Sequence, residues 1–437
     1  MKKKNFKFFP GIRLPFSYGW IVLVVGTIGV IMSIPGQTMG VSVFTDFLID
    51  SLQISRTGLS TTYLLGTILS ALILSRGGRF YDRFGAKTTA LIAAAAMTAV
   101  LFYMSYIDII KDTISQWGIV SPQITAFILL TAGFFILRFF GQVILAMVSR
   151  NMVLKWFDRK RGLVVAIMSA FISFAFSLSP KLFNSMINIY NWNGTWRILA
   201  LIVFPIFILI IILFFRDWKP NPVTEGLDSI KKEISYAKQE QNEPENRTLK
   251  EALKTKTFWS YNIAITLMSM FGTAFTFHIV SIFSYADMGR SIAVSVFIPI
   301  SIIAVVISFT GSTLSDYISL KIILALELIG IITASFSLIF LAPGVPLVLL
   351  IAGMGIANGT FVVLINIAWV KTFGKLHLGA ISGYAMGWTV GGSAIGPFIF
   401  SAFRDVSDNY KLAALFTILV AVLLLIFVFI KKEEIKG

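Results

Sequence analysis

The stretch RGGRFYDRFGAKTT, residues 76–89, crowds basic side chains around one acid, Asp82, between two long apolar runs. The basic residues are Arg76, Arg79, Arg83 and Lys87. The run LLGTILSALILS precedes the stretch, and ALIAAAAMTAVLFYMSY follows it. A nucleic-acid patch, a phosphate-binding loop and a loop between two membrane helices would each carry such charges, so the flanking sequence has to decide among them.

The composition favours the membrane. Of 437 residues, 57% are hydrophobic and 13% are charged, whereas soluble domains carry about 25% charged residues. The net charge of +16 is divided among short clusters, and the apolar runs between them, about 18 to 27 residues each, can cross a ~30 Å hydrocarbon core. Because lipid would separate the basic clusters, a nucleic-acid partner is excluded. The absence of cysteine excludes disulfides and thiolate metal sites.

Twelve apolar runs predict twelve membrane helices. They span residues 18–44, 57–75, 88–107, 124–149, 163–187, 198–215, 258–284, 292–315, 321–341, 346–370, 379–403 and 411–430. The first run is longer than a signal-peptide core, which predicts an uncleaved helix. Most Lys and Arg residues fall in the segments on the side of the two termini, so both termini are predicted to be cytoplasmic and the protein to lie in the cell (inner or plasma) membrane.

The polar segment 216–257 divides the chain into two predicted helical domains, 1–215 and 258–437, joined by a cytoplasmic linker. In this linker, Thr248 and Glu251 form a T-x-x-E capping box that predicts a short helix. A regulatory role for the segment is the alternative to a solvated linker.

The two predicted domains carry similar phrases in the same order, a pattern typical of transporters built from repeats. Gly78 precedes Asp82 at the spacing at which Ser312 precedes Asp316. The phrases AFSLSP and GSAIGP occupy corresponding positions in the two halves. Small residues before a proline allow close helix contact and local bending. The residues predicted to act in hinging or packing are Pro35, Gly36, Pro180, Gly392, Gly396 and Pro397.

At the opening stretch the chain resembles the major facilitator superfamily, whose loop signature is G-x-x-x-D-[RK]-x-G-[RK]-[RK]. The segment GRFYDRFGAK departs from it at Ala86 and matches it at Gly78, Asp82, Arg83, Gly85 and Lys87. The resemblance implies an all-α integral membrane protein with twelve transmembrane helices in two pseudo-symmetric six-helix bundles. The matched residues, with Asp316 in the second half, are predicted to form a conformational latch, because an Asp there can cap a helix or pair with an Arg. A loop that only sets topology is the alternative.

Several phrases resemble the oxalate:formate antiporter and monocarboxylate transporter branch of that superfamily. They include YGWIVL, IPGQTMGVSVFTDFLI, LRFFGQ, LKWFDRKRGLVVAI and FGKLHLGAISG. This resemblance implies transport of small organic anions by alternating access. The oxalate-transporting members hold their dianion with basic residues in helices eight and eleven, but 292–315 and 379–403 contain no Lys or Arg. A monoanion or a neutral solute therefore fits better than a dicarboxylate.

Arg138 is the sharpest candidate site residue, because it lies near the middle of the fourth predicted helix with Gln142 one turn away. An Arg at the centre of a membrane helix costs about 2.5–3.5 kcal/mol on insertion scales, so it should face a cavity or a partner. A transported carboxylate could supply the missing charge. The alternative is an Arg satisfied by helix carbonyls and Gln142.

Further candidate substrate contacts are weaker. In the first helix, Pro35 and Gly36 free backbone groups beside Gln37 and Thr38, and broken helices are tolerated where they line cavities. His278 has a pKa range suited to proton coupling or anion binding, with a hydrogen-bonded structural role as the alternative. For Glu327 we expect a structural role. The predicted cavity contacts in the second half are Asn358, Tyr384 and Trp388.

The sequence thus predicts a secondary transporter of a small organic anion, a monocarboxylate by preference, with a proton or counter-anion as coupling ion. An exporter of drugs or neutral metabolites is one alternative, and a transporter-like membrane sensor is another. We find no paired-acid, Ser/His or H-E-x-x-H constellation in the spans and no P-loop, so the sequence predicts neither an enzyme nor a cofactor. The expected partners are the substrate and the lipid bilayer, and the chain is expected to be monomeric.

Overall fold

The computed structural model describes residues 18–157, 161–217, 246–315, 317–374 and 377–429. Within these ranges every regular element is a helix. The chain divides into two compact units, which are described separately below. The first unit comprises Met1–Trp218 and Thr276–Ile298, and the second comprises Lys219–Phe275 and Pro299–Gly437. The division of the sequence into domains 1–215 and 258–437 remains a prediction.

The described part of the first unit has ten α-helices before the linker. They are α1 Tyr18–Ile31, α2 Thr38–Val41, α3 Thr45–Leu52, α4 Arg56–Leu72, α5 Leu74–Met104, α6 Ile107–Ser115, α7 Pro122–Ile136, α8 Ala146–Trp156, α9 Arg161–Ile198 and α10 Phe204–Phe214. Two π-helical segments, Leu137–Leu145 and Leu199–Val203, join α7 to α8 and α9 to α10. The wide turn of a π-helix shifts the face on which the following side chains lie.

The helices that follow the linker are shared between the units. They are α11 Leu249–Ala252, α12 Lys256–Ser284, α13 Arg290–Ser295, α14 Phe297–Leu314, α15 Leu320–Ile339, α16 Val345–Phe373, α17 Leu378–Ser407 and α18 Lys411–Phe429. The end of α12 and all of α13 belong to the first unit. In the second unit, α15 and α16 pack closely because glycines meet backbone: a Cβ added at Gly353 would lie 2.6 Å from the Ala334 nitrogen.

The first predicted membrane helix is interrupted in the structure. After α1 the chain forms a 3-10 turn, Ile34–Gly36, with Pro35 in its first positions. Gln37 is extended, with φ −93° and ψ 159°, and α2 begins at Thr38. Proline lacks the N–H that would continue the helical hydrogen bonds, so the interruption falls where the sequence places it.

The predicted loop 76–87 is helical for most of its length, which corrects the sequence-based boundary. Helix α5 starts at Leu74 and is kinked at Gly85, where φ is 79° and ψ is 177°. A helix satisfies its own backbone hydrogen bonds, so extending it beyond the apolar run leaves fewer groups without partners. The turn is thereby moved to a glycine, which adopts a positive φ without strain.

Helix α9 contains Pro180 without being broken by it. The proline leaves the carbonyl of Phe176 without its usual backbone donor. The Ser179 hydroxyl donates to that carbonyl at 2.8 Å. Neighbouring Ser or Thr side chains are the usual means of satisfying such a group in a membrane helix. The helix instead kinks at Asn191, where φ is 60°.

Nine helical runs among the described residues are long and apolar enough to cross a membrane. One of them, Ile167–Phe214, has 48 residues and takes in two of the twelve predicted spans. Helices α4 and α17 overlap the predicted spans 57–75 and 379–403 but are not among the nine. The chain is therefore an all-α, multi-pass membrane protein.

Candidate functional site

Arg138 lies in the π-helical segment between α7 and α8, at the centre of the first unit's fourth predicted span. Its side chain is 1% exposed, although it is the largest of the fully buried side chains. π-helical turns inside longer helices occur frequently at functional sites. The local geometry therefore sets Arg138 apart from a residue of a regular helix.

Two neighbours hold the Arg138 guanidinium. Nη1 donates to the Thr38 hydroxyl at 3.4 Å, which is a long hydrogen bond. The guanidinium carbon lies 4.8 Å from the centre of the Tyr63 ring, a cation–π distance. The Tyr63 and Thr38 hydroxyls are 2.6 Å apart, so the three side chains form one connected group. We call Thr38, Tyr63 and Arg138 the arginine site.

The arginine site leaves part of the cation unsatisfied. Among the described residues, the buried Nε of Arg138 has no hydrogen-bond partner. No ion pair involving Arg138 is found in the same part of the chain. A buried cation without an opposite charge is expensive, because burial removes water without supplying a carboxylate in its place. The arrangement is suited to receive an anion.

Glycines bring the elements of this site together. A Cβ at Gly36 would meet the carbonyl oxygen of Leu137 and would lie 2.9 Å from the Cα of Gly141. The turn after α1 therefore rests directly on the π-helical segment, backbone against backbone. This contact places Thr38 beside Arg138, because each residue lies within two positions of the backbone atoms that touch.

Tyr63 is the residue that sequence reasoning missed. It is fully buried on α4, and its ring lies 5.5 Å from that of Phe134 and 4.7 Å from that of Phe277. A tyrosine in the middle of a membrane span needs a partner for its hydroxyl, and this signal could have identified it. Its partner on another helix, Thr38, could not be read from the sequence.

The remaining candidates of the first unit lie near this group. Gln37 is half-buried and donates to the Ser33 hydroxyl at 3.1 Å. Gln142 is half-buried in the same π-helical segment as Arg138. His278 is fully buried on α12, next to Phe277, whose ring contacts Tyr63. The substrate-binding roles of these residues remain predictions.

The three candidates of the second unit have different surroundings. Asn358 is half-buried and donates to the Met354 carbonyl of its own helix at 2.8 Å. The Tyr384 ring lies 6.1 Å from that of Phe258. Trp388 lines a cavity of about 530 Å³ formed by α12, α17 and α18. Its other lining residues are almost all apolar or glycine, so this cavity offers shape and hydrophobic contact instead of charge.

The predicted packing residues of α17 lie against α12. A Cβ at Gly392 would lie 2.7 Å from the Thr266 carbonyl oxygen, and one at Gly396 would meet that of Met270. The hydroxyl of Ser269 donates to the Thr389 carbonyl at 2.8 Å in the same contact. Pro397 lies inside α17 and, like Pro180 in α9, does not end its helix. Hinge motion at these positions is still a prediction.

At the kink of α5, the Asp217 carboxylate lies against the backbone of Gly85 and Ala86. It accepts from the Ala86 N–H at 2.5 Å, and a Cβ at Gly85 would lie 2.7 Å from the same group. Lys87 donates to the Ile212 carbonyl at 2.7 Å. Arg83 lies over the ring of its neighbour Phe84, at 5.2 Å. Asp217 therefore caps the helix that restarts at Ala86.

The latch itself remains a prediction. Gly78 lies on α5, but the side chain of Asp82 and the whole of Asp316 fall outside the described residues. Among the residues that are described, no group of three or more His, Cys, Asp or Glu could hold a metal ion.

The sequence model of the Major Facilitator Superfamily matches residues 26–397. No curated protein sequence matches the chain. Among solved structures, the chain is similar to a bacterial homolog of the human lysosomal transporter Spinster, in inward-facing and unoccupied form. The TM-score is 0.65 at 13% identity, covering 94% of this chain and 95% of that one. A D-xylose-proton symporter gives a TM-score of 0.60 at 14% identity, covering 94% and 98%.

The chain therefore belongs to the Major Facilitator Superfamily. It is a secondary transporter that works by alternating access, and it is not an enzyme. The structural similarities, at 13% and 14% identity, show the shared fold and leave the substrate open. This confirms the superfamily resemblance on the opening stretch, while the oxalate:formate and monocarboxylate branch stays a proposal.

Proposed function

We propose that the protein transports a small organic monoanion, a monocarboxylate by preference, and that Arg138 binds its carboxylate. The observation that carries this proposal is the buried Nε of Arg138, which has no hydrogen-bond partner among the described residues. Burial makes the missing charge costly, so an anion that enters the site gains a strong interaction.

The chemistry of the arginine site favours a carboxylate. A guanidinium presents parallel N–H donors that match the two oxygens of a carboxylate. The Thr38 and Tyr63 hydroxyls, 2.6 Å apart, can each donate to an oxygen or accept from a substrate hydroxyl. Phe134 and Phe277, which flank Tyr63, suit a short apolar carbon chain.

A single charge on the substrate follows from the charge of the site. Arg138 is one cation. The eighth and eleventh predicted helices, 292–315 and 379–403, contain no Lys or Arg that could bind a second carboxylate. A second carboxylate would have to enter a low-dielectric site without a partner, which costs more than the first gains.

The test is uptake of radiolabelled carboxylates into proteoliposomes, comparing the parent protein with Arg138→Gln. We expect Arg138→Gln to lose about 10- to 100-fold in uptake efficiency, in line with removal of a charged hydrogen-bond partner worth about 1.5–3 kcal/mol. Arg138→Lys should retain part of the uptake, because it keeps the charge but loses the planar fork. Arg150→Gln is the matched control, since it removes an exposed Arg from α8, just beyond the end of the fourth predicted span.

Normal carboxylate uptake by a folded Arg138→Gln protein would refute the anion-binding role. Equal losses in Arg138→Gln and Arg150→Gln would point to a general effect of removing positive charge, not to an anion site at Arg138. Repeating the assay with an imposed pH gradient tests proton coupling. If the gradient drives uptake in the parent and not in His278→Gln, His278 takes part in that coupling.

A neutral or apolar solute is the second candidate substrate. The observation in its favour is the cavity of about 530 Å³ beside Trp388, whose size lies within the range of small-molecule sites. Competition in the same vesicle assay separates the two candidates. Apolar compounds that block uptake only in a protein with intact Trp388 would favour this cavity, whereas competition by carboxylates alone would favour the arginine site.

A further inference from the structure

The segment Thr276–Ile298 packs with the first unit, although the helices on both sides of it continue in the second unit. It contains the end of α12, the short helix α13 and the start of α14. Helix α13 lies against α9. Its first residue, Arg290, makes polar contacts with the rest of the first unit.

Arg290 contacts two separate parts of the first unit, α9 and the stretch 43–47. Its Nε donates to the Asn184 side-chain oxygen on α9 at 2.6 Å, and its Nη2 donates to the Val43 carbonyl. Its Nη1 lies 3.6 Å from the Asp46 carboxylate, and its guanidinium carbon lies 4.6 Å from the centre of the Phe47 ring. We call Val43, Asp46, Phe47, Asn184 and Arg290 the Arg290 cluster.

The Arg290 cluster can open without leaving a charge isolated. Asp46 also pairs with Arg56 at 2.6 Å, so it keeps a partner when Arg290 departs. The side chains of Arg290 and Asp46 are 23% and 26% exposed, so water can replace the lost contacts. A partly exposed ion pair contributes little net stability, so its rupture costs little free energy. These features suit a contact that forms and breaks.

The members of the Arg290 cluster lie at helix ends that face the same side of the membrane in the predicted topology. Val43, Asp46 and Phe47 follow the interruption of the first predicted span, and Arg56 begins α4. Asn184 lies in the last part of the fifth predicted span, and Arg290 lies between the seventh and eighth. The predicted orientation places all of these positions on the outer side of the membrane.

We propose that Arg290 is a positioning residue of the transport cycle: its contacts with Asn184, Val43 and Asp46 close the outer end of the first unit, and they must break before a substrate can enter from outside. Arg290 does not touch the substrate. It acts by deciding how often the path to the arginine site is open on that side. The inference rests on alternating access and on the predicted orientation, and it is independent of the substrate class.

The absence of cysteine makes the test direct, because a single introduced thiol is the only reactive one. Gln37→Cys, half-buried beside the arginine site, serves as the reporter. The rate of its reaction with a membrane-impermeant maleimide is measured in cells, with reagent added from outside, and in inverted vesicles. Adding Arg290→Gln should raise the outside rate about 5- to 10-fold and lower the rate in inverted vesicles, since closure is weakened on one side.

Two further variants keep the result decisive. Arg404→Gln removes a cation that pairs with Asp405 at 3.2 Å at the same predicted side, and it should leave both rates unchanged. Asn184→Ala removes a single hydrogen bond of the cluster and should raise the outside rate by a smaller factor, even if Arg290→Gln folds poorly. Unchanged rates in a folded Asn184→Ala or Arg290→Gln protein, or equal increases from both sides, would overturn the proposal.

Discussion

At the scale of single residues, two buried ionisable side chains illustrate how differently membrane helices use charge. Arg138 has neighbours that can share a ligand, namely the hydroxyls of Thr38 and Tyr63. Glu327 on α15 is fully buried, and among the described residues neither of its carboxylate oxygens has a hydrogen-bond partner. The first arrangement suggests binding, whereas the second suggests a buried carboxyl group that serves packing.

Glu327 should therefore be replaceable by an apolar residue of similar size. We expect Glu327→Leu to raise the melting temperature, because burial of an unpaired polar group costs about 1–3 kcal/mol and leucine removes that cost. Glu327→Gln should transport with an unchanged pH dependence. Thermal unfolding in detergent and vesicle uptake check the two expectations. A lower melting temperature for Glu327→Leu would show that the Glu327 carboxyl group makes a stabilising polar contact. A changed pH profile for Glu327→Gln would show that Glu327 takes part in proton transfer.

At the scale of elements, the decisive contact is the crossing of the turn after α1 with the π-helical segment. A Cβ at Gly36 would meet the Leu137 carbonyl oxygen, so Gly36→Ala should force the two segments apart. We expect a loss of about 1–3 kcal/mol of stability, typical of overpacking, together with reduced uptake. Thermal unfolding of the purified protein measures the stability change.

Gly387→Ala is the matched control for this crossing. A Cβ at Gly387 on α17 would meet nothing within 4 Å. Alanine is better than glycine inside a helix by about 0.5–1 kcal/mol, so this variant should unfold at the same or a slightly higher temperature. If both variants lose stability equally, the close approach at Gly36 is not what holds the first helix in place.

The short helix α11 shows an element that sequence reasoning read correctly. The predicted capping box is present: the Thr248 hydroxyl accepts from the Glu251 N–H, and the Thr248 N–H donates to the Glu251 carboxylate at 2.8 Å. The hydrogen bond from this backbone N–H lowers the pKa of Glu251 below its ordinary value. The capping contribution is therefore present above the ordinary range of a glutamate and is lost as the pH falls through the lowered pKa.

At the scale of the whole molecule, the distribution of positive charge predicts the orientation. We expect Asp112→Cys, in α6, to react with an impermeant maleimide in intact cells. Lys250→Cys, on the exposed surface of α11, should react only after the membrane is opened. The rule that cytoplasmic segments carry the excess of Lys and Arg supports this expectation. The reverse labelling pattern would invert the orientation and with it the side on which the Arg290 cluster acts.

The sequence by itself determined that this protein crosses the membrane many times as helices, because apolar length and the distribution of charge act locally along the chain. It also indicated the break at Pro35, since proline removes a backbone donor wherever it stands. It singled out Arg138, because a cation deep in an apolar run always needs an explanation.

Only the tertiary structure decided which groups meet. It showed Tyr63 under the guanidinium, Asp217 at the kink of α5 and Asn184 beside Arg290, each of them a contact between residues far apart in the chain. It also turned most of the predicted loop 76–87 into helix. Such contacts depend on how several helices cross at glycine positions such as Gly36 and Gly141, and hydropathy carries no information about that close packing.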